Sequence, residues 1–207
     1  MTTDLFLIRH GETEWNRDGR MQGHGDSPLT EQGRAQARAI ALRLAGLQPQ
    51  VLACSDLGRA RATAAPTAEH LGLAVNIHPG LRERNLGLFE GLTLAEAEAR
   101  HPEAYHQWRG HDPAFTIPGG ESVDQRTARV AAACLALVQS HAGKRIAAIT
   151  HGGCLESMIR HVLHIPPAAP RAYTLANAAF NHFQFTQDRW LLLTWGDTSH
   201  LDRLTIH

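Results

Sequence analysis

Leu5-Phe6-Leu7-Ile8-Arg9-His10-Gly11-Glu12-Thr13 decides the reading of this chain. The apolar run from Leu5 to Ile8 predicts a short buried strand. It stops at an arginine and a histidine, then at a glycine, which turns the backbone at little steric cost. A fixed cation beside an imidazole at a strand end is what chemistry on an anionic group requires. The arrangement recurs far away, where Ile146-Ala147-Ala148-Ile149 runs into Thr150-His151-Gly152-Gly153. Either His-Gly pair alone, in a chain with 14 histidines, reads as an ordinary loop. The pair of them carries more meaning. Ligands of open α/β sheets bind beyond the carboxyl ends of the strands, where two such histidines can meet.

Working outward, strands alternate with helical segments, the sign of a mainly parallel sheet flanked by helices. Thr30 is placed to cap a helix through Leu44, with Ile40, Leu44 and Leu47 on one face. Val51 to Cys54 is a second strand. Ser55 or Asp56 is expected to cap the next helix, which runs to about Leu71 and stops at Gly72. Val75 to Ile77 is a third strand. Residues 81–120 break the rhythm and read as a helical insertion or lid, with a capping box at Thr93-Leu94-Ala95-Glu96. A second capping box, Ser122-Val123-Asp124-Gln125, opens the helix that returns to the strand ending at His151. Gly152-Gly153 leads into a helix from Cys154 to Leu163, and backbone amides at such a start favour an anion. Phe183 and Phe185, a turn at Asp188-Arg189, and Trp190 to Trp195 suggest a terminal hairpin. The expectation is one α/β three-layer sandwich over residues 1–207.

Composition narrows the partners. The chain has 207 residues, 43% hydrophobic and 19% charged, with a formal net charge of zero. No basic surplus points to nucleic acid or an anionic membrane. No apolar run has the length of a membrane span, and Met1-Thr2-Thr3-Asp4 lacks the features of a secretory signal. Cys54, Cys134 and Cys154 read as buried thiols in a reducing cytoplasm. No zinc-ligand spacing occurs, so no metal is expected. An edge strand could pair two subunits as a homodimer.

Ser55-Asp56-Leu57-Gly58-Arg59-Ala60 places Arg59 in the first turn of a helix near a strand end. It reads either as a surface salt-bridge arginine or as a second clamp on an anion held at Arg9. A planar guanidinium can donate two bonds to a phosphate. Arg61, two positions on, faces another side and is left to solvent.

These segments occur in order with Leu81-Arg82-Glu83, Gly87, Glu90-Gly91, Pro118-Gly119-Gly120-Glu121-Ser122 and Thr150-His151-Gly152. Over nearly the whole chain that order resembles the histidine phosphatase superfamily, in the branch that includes cofactor-dependent phosphoglycerate mutases. Gln22-Gly23, Asp26-Ser27-Pro28-Leu29-Thr30 and Gly196-Asp197-Thr198-Ser199-His200-Leu201 look like its bacterial phosphatases. The resemblance implies His10 as a nucleophile that becomes a phosphohistidine. It implies Arg9, Arg59 and His151 as holders of the phosphoryl oxygens, with Asn16 and the Gly152 amide as further donors. Glu83 matches the acid/base. A glutamate that delivers a proton must not be held ionised by adjacent cations, so at least one of Arg82 and Arg84 should point away. Glu12 and Glu90 are weaker rivals for that role. Glu121 reads as structural, and His161, His164, His182 and His200 as core, cap or surface residues.

The same resemblance implies a small phosphorylated metabolite as substrate and no cofactor. Arg84 matches a mutase residue that contacts a substrate carboxylate. Gln22-Gly23 and Asn85-Leu86 depart from the mutase pattern, and the chain is shorter than the mutases, which favours water as acceptor. Phosphoserine, phosphoglycerate, ribazole phosphate, sugar phosphates and nucleotides all stay open. Two alternatives remain beside a phosphatase. One is a mutase primed by 2,3-bisphosphoglycerate. The other is a catalytically idle binding protein on the same fold.

Overall fold

The computed structural model describes residues 1–204. Six strands form one sheet in the order β3-β2-β4-β1-β5-β6. They are β1 (Thr3–Arg9), β2 (Val51–Cys54), β3 (Val75–Ile77), β4 (Arg145–Thr150), β5 (Phe180–Thr186) and β6 (Arg189–Asp197). The first four in that order run parallel; β5 is antiparallel to β1, and β6 to β5. The terminal hairpin is therefore part of the sheet. Its turn falls at Gln187 and Asp188, both with positive φ, one residue earlier than the sequence suggested.

Alternation along the strands builds two cores. Leu5, Leu7, Ala53, Ile146 and Ala148 face α6 (Val123–Ser140) and α7 (Gly152–Val162), where Val130, Cys134, Leu155 and Met158 meet them. Phe6, Ile8, Leu52, Ala147 and Ile149 face the opposite side. There they pack on Ile40 and Leu44 of α2 (Glu31–Leu47) and on Ala60 and Ala64 of α3 (Gly58–Leu71). A fully buried leucine such as Leu44 stabilises the fold by about 1.5–3 kcal/mol. All three cysteines are buried and free.

The capping signals hold at Thr30, Thr93 and Ser122, each of which accepts the amide three residues on. They fail at α3. Neither Ser55 nor Asp56 caps it; the N-cap is Leu57, with no side-chain bond of its own. The acceptor comes from another loop instead, as Asp26 Oδ1 takes the Arg59 amide at 3.2 Å. α7 also starts at Gly152, two residues before the expected Cys154. The irregular stretch after Leu81 carries two short helices, α4 (Leu94–Arg100) and α5 (Pro102–Arg109), over a small core of Phe89, Ala97 and Ile117.

Candidate active site

Register brings the two histidines together. In the β1–β4 pair Arg9 lies opposite Thr150, so His10 and His151 leave neighbouring strands at the same level. Their ring centroids are 5.2 Å apart. In the β2–β4 pair Cys54 lies opposite Ile149, which brings Ser55 alongside. Ser55 Oγ bonds His151 Nε2 at 2.9 Å. The serine read as a helix cap thus orients an imidazole.

His10 is 3% exposed, and its Nδ1 lies 2.7 Å from Gly11 O. A carbonyl only accepts, so Nδ1 carries the proton and Nε2 keeps its lone pair. Arg59 Nε donates to that Nε2 at 3.3 Å. Burial pushes His10 well below the ordinary imidazole range, and the cations of Arg9 and Arg59 push it further. His151 is lowered in the same way, by burial first and then by Arg59. A neutral imidazole whose Nε2 keeps its lone pair, held only by a long bond from Arg59, is equipped to attack an electrophile. Gly11 is required by space, because a Cβ there would fall 2.5 Å from Gly33 O.

Arg59 is 1% exposed and is anchored by one loop. It donates to Gly23 O and Gly25 O, each at 2.8 Å, and to Asp26 Oδ1 at 3.2 Å. Arg9 donates through Nη1 to Leu175 O. Among the described residues, Arg9 Nε and His151 Nδ1 are buried with no hydrogen-bond partner. Buried donors are almost always satisfied, so two orphans beside His10 mark a place for acceptor oxygens. Glu83 completes the group. Its Oε2 accepts the Gly153 amide at 2.9 Å and its Oε1 the Arg84 amide at 2.7 Å, which fixes the carboxylate at the start of α7.

The other expected residues divide. Arg82 points away from Glu83 and pairs with Asp56. Arg84 turns into the cleft. Gln22 Oε1 accepts from Ser27, and the Gly23 carbonyl holds Arg59, so both support the loop under the site. Asn16 Oδ1 accepts from Thr13 and from Asn177 Nδ2 at 3.1 Å, which leaves its amide nitrogen as the donor it can offer. Glu12 accepts from Thr30, and Glu90 accepts the amides of His24, Gly25 and Leu86; both are engaged in shaping loops. Glu121 pairs with Arg129. Arg61 is exposed, as are His161 and His164. His182 bonds Asp4, and His200 bonds Ala178 O. No group of three or more potential metal ligands occurs among the described residues.

Sequence reasoning missed four contributors. Asp26, which no local pattern marks, bonds both the amide and the guanidinium of Arg59. Asn177 donates to His10 O at 3.1 Å, and Ala178, in the left-handed region at φ 57°, bonds the carbonyls of Arg9 and His10 through its amide. Arg126 was one arginine among many on a capped helix. It is 6% exposed, and with residues 167–171 it lines the cleft beside Arg9, Glu83 and Gly152. The cleft holds about 890 Å³, with Leu86, Trp108 and Val123 among its apolar lining residues.

At the ends of neighbouring strands the sheet therefore presents two buried histidines with the buried guanidinium of Arg59 against one of them. The family described as histidine phosphatase superfamily (branch 1) matches residues 5–198, and this chain belongs to it. A metal-independent phosphoserine phosphatase of Arabidopsis thaliana is 38% identical over 202 residues, covering 96% of this chain and 83% of its own. Phosphoglycerate mutase-like protein 4 of the same plant is 38% identical over 203 residues, covering 96% and 87%. A mycobacterial glucosyl-3-phosphoglycerate phosphatase, solved in complex with VO3, superposes with a TM-score of 0.81 at 33% identity, covering 94% of this chain and 99% of that one.

Proposed function

We propose that the protein is a metal-independent phosphomonoesterase that works through a phosphohistidine on His10. The observation that carries this reading is the His10 ring: its proton is fixed on Nδ1, and its Nε2 faces Arg59. In the first step Nε2 attacks phosphorus, the P–O bond to the alcohol breaks, and Glu83 donates a proton to the leaving oxygen. Arg59 Nε–H passes from the imidazole to a phosphoryl oxygen. The orphaned Arg9 Nε and His151 Nδ1 hold further oxygens as charge redistributes over them. In the second step Glu83 takes a proton from water, which attacks the phosphohistidine; the N–P bond breaks and phosphate leaves. The guanidiniums of Arg9 and Arg59 supply the charge stabilisation that a metal ion supplies elsewhere. Relatives named as phosphatases support the hydrolytic outcome.

The test is rapid acid quench of protein turning over an activated phosphomonoester in excess chelator. An acid-labile, base-stable phosphoryl adduct on the His10 peptide is expected. An adduct on His151, or activity that vanishes with chelator and returns with magnesium or zinc, would overturn the proposal.

A further inference from the structure

His10 stands one residue past the end of β1, outside the sheet ladder. Thr150 O takes its amide at 2.9 Å, but its carbonyl is held from elsewhere. The segment before β5 holds it. The Ala178 amide lies 3.1 Å from Arg9 O and 3.2 Å from His10 O, and Asn177 Nδ2 donates to His10 O at 3.1 Å. Ala178 does so in the left-handed region, at φ 57°, and fully buried. A residue with a Cβ disfavours that conformation, and alanine has no polar group to offset it locally. Such a conformation persists where its surroundings over-determine it.

Those surroundings come from the last helix and from α2. His200, in the short helix Ser199–Leu204, puts Nε2 3.1 Å from Ala178 O. A carbonyl only accepts, so Nε2 carries the proton and Nδ1 keeps its lone pair. Arg43 of α2 meets that lone pair, with Nη1 at 3.1 Å. A guanidinium only donates, so the bond requires a neutral His200. Burial first, and then the cation of Arg43, hold His200 below the ordinary imidazole range. Arg43 is fixed in turn. Its Nη2 donates to Asp197 Oδ2 at 2.5 Å, and its guanidinium carbon lies 4.0 Å from the centre of the Phe180 ring. Leu201 packs on the same core as Phe180 and Ala178. A bonded chain thus runs from α2 to the nucleophile: Arg43 to His200, His200 to Ala178, and Ala178 to Arg9 and His10.

We propose that Arg43 and His200 are positioning residues for the reaction: they pin Ala178 in its left-handed conformation and thereby fix the backbone of Arg9 and His10, so that the imidazole is held where it attacks. Neither lines the cleft. The effect on rate rests on the phosphohistidine reading, whereas the effect on Ala178 rests on this geometry alone.

Hydrogen exchange and kinetics test the two halves separately. His200→Phe keeps a flat ring that neither donates nor accepts. The Ala178 amide should then exchange about tenfold faster or more, while the amides of β4 keep their wild-type rates. Turnover of an activated phosphomonoester should lose about tenfold in kcat with KM within about twofold, because the nucleophile is misplaced and the cleft is not. His200→Gln, whose side-chain amide can donate to Ala178 and accept from Arg43, should hold kcat within about threefold of wild type. Ala178→Gly added to His200→Phe should restore most of the lost kcat, since glycine adopts a positive φ unaided. Should His200→Phe fail to fold, Arg43→Met, which cuts the outer link, carries the same readouts in the same direction. Unchanged Ala178 exchange, a kcat in His200→Gln as low as in His200→Phe, or a loss confined to KM would overturn the proposal. If wild-type protein hydrolyses no phosphomonoester, the hydrolytic reading fails, and faster exchange at Ala178 in His200→Phe still upholds the brace.

Discussion

His10 and Glu83 invite opposite substitutions. Burial and two arginines hold His10 below its ordinary value, so its imidazole should remain neutral when the pH falls through the usual histidine range of about 6.5. NMR of selectively labelled His10 checks this; a midpoint at or above 6.5 would show that the clamp does not act on it. As the proposed acid of the first step, Glu83 matters most where the leaving oxygen is basic and needs a proton. Glu83→Gln should slow alkyl phosphates by roughly a hundredfold and aryl phosphates with acidic alcohols far less. Arg59→Ala should slow both by a comparable hundredfold or more, because both transition states load the phosphoryl oxygens. Equal losses for the two leaving groups in Glu83→Gln would remove the acid role from Glu83.

At the scale of elements, two helix starts build the site. α3 has no cap of its own, and Asp26 reaches from another loop to take both the Arg59 amide and its guanidinium. Asp26→Ala should cost about 1 kcal/mol of stability as a lost cap and should also lower kcat/KM by loosening Arg59. Asp26→Asn should recover more of the melting temperature than of the activity, since the amide can cap but carries no charge. Parallel recovery of both would reduce Asp26 to a cap. At α7, Gly153 leaves room for Glu83 and Arg126. Alanine is the better helix former by about 1 kcal/mol, so Gly153→Ala should hold the melting temperature near the wild-type value. Its Cβ nevertheless intrudes on both side chains, so turnover of alkyl phosphates should fall by about tenfold or more.

For the whole molecule the question is whether water reaches the phosphoenzyme. The cleft, at about 890 Å³, has room for water beside a small substrate. A mutase must shield its phosphohistidine, because each hydrolysis leaves the enzyme inactive until a bisphosphate primes it again. With 3-phosphoglycerate and 2,3-bisphosphoglycerate present, free phosphate should accumulate and 2-phosphoglycerate should not. Efficient isomerisation with little phosphate release would make this chain a mutase. The same buried site makes the fold acid-sensitive. His10 and His151 stay neutral in the folded state, while their unfolded counterparts take up protons below about pH 6.5. Stability is therefore full above that pH and is lost as the pH falls toward the depressed folded values. His151→Asn should flatten the decline of melting temperature between neutral and mildly acid pH.

The sequence by itself determined the strands and the starts of α2, α4 and α6, and it named Arg9, His10, Arg59, Glu83 and His151 as candidates, their roles through the family resemblance. Those signals are local: apolar runs of strand length, capping boxes, and motifs at strand ends. It also implied that Arg82 or Arg84 must turn away, though not which one. The tertiary structure decided that Arg82 leaves for Asp56 and that Arg84 turns inward. It put Ser55 on His151 rather than on a helix, because strand register, not sequence distance, sets which loops meet. Asp26 and Asn177 reach the site across 33 and 167 residues, and no local pattern marks such a contact. Arg126 was illegible for the same reason. On its own helix it is one cation in a polar run, and only the packing of α6 against α7 buries it beside Glu83 in the wall of the cleft.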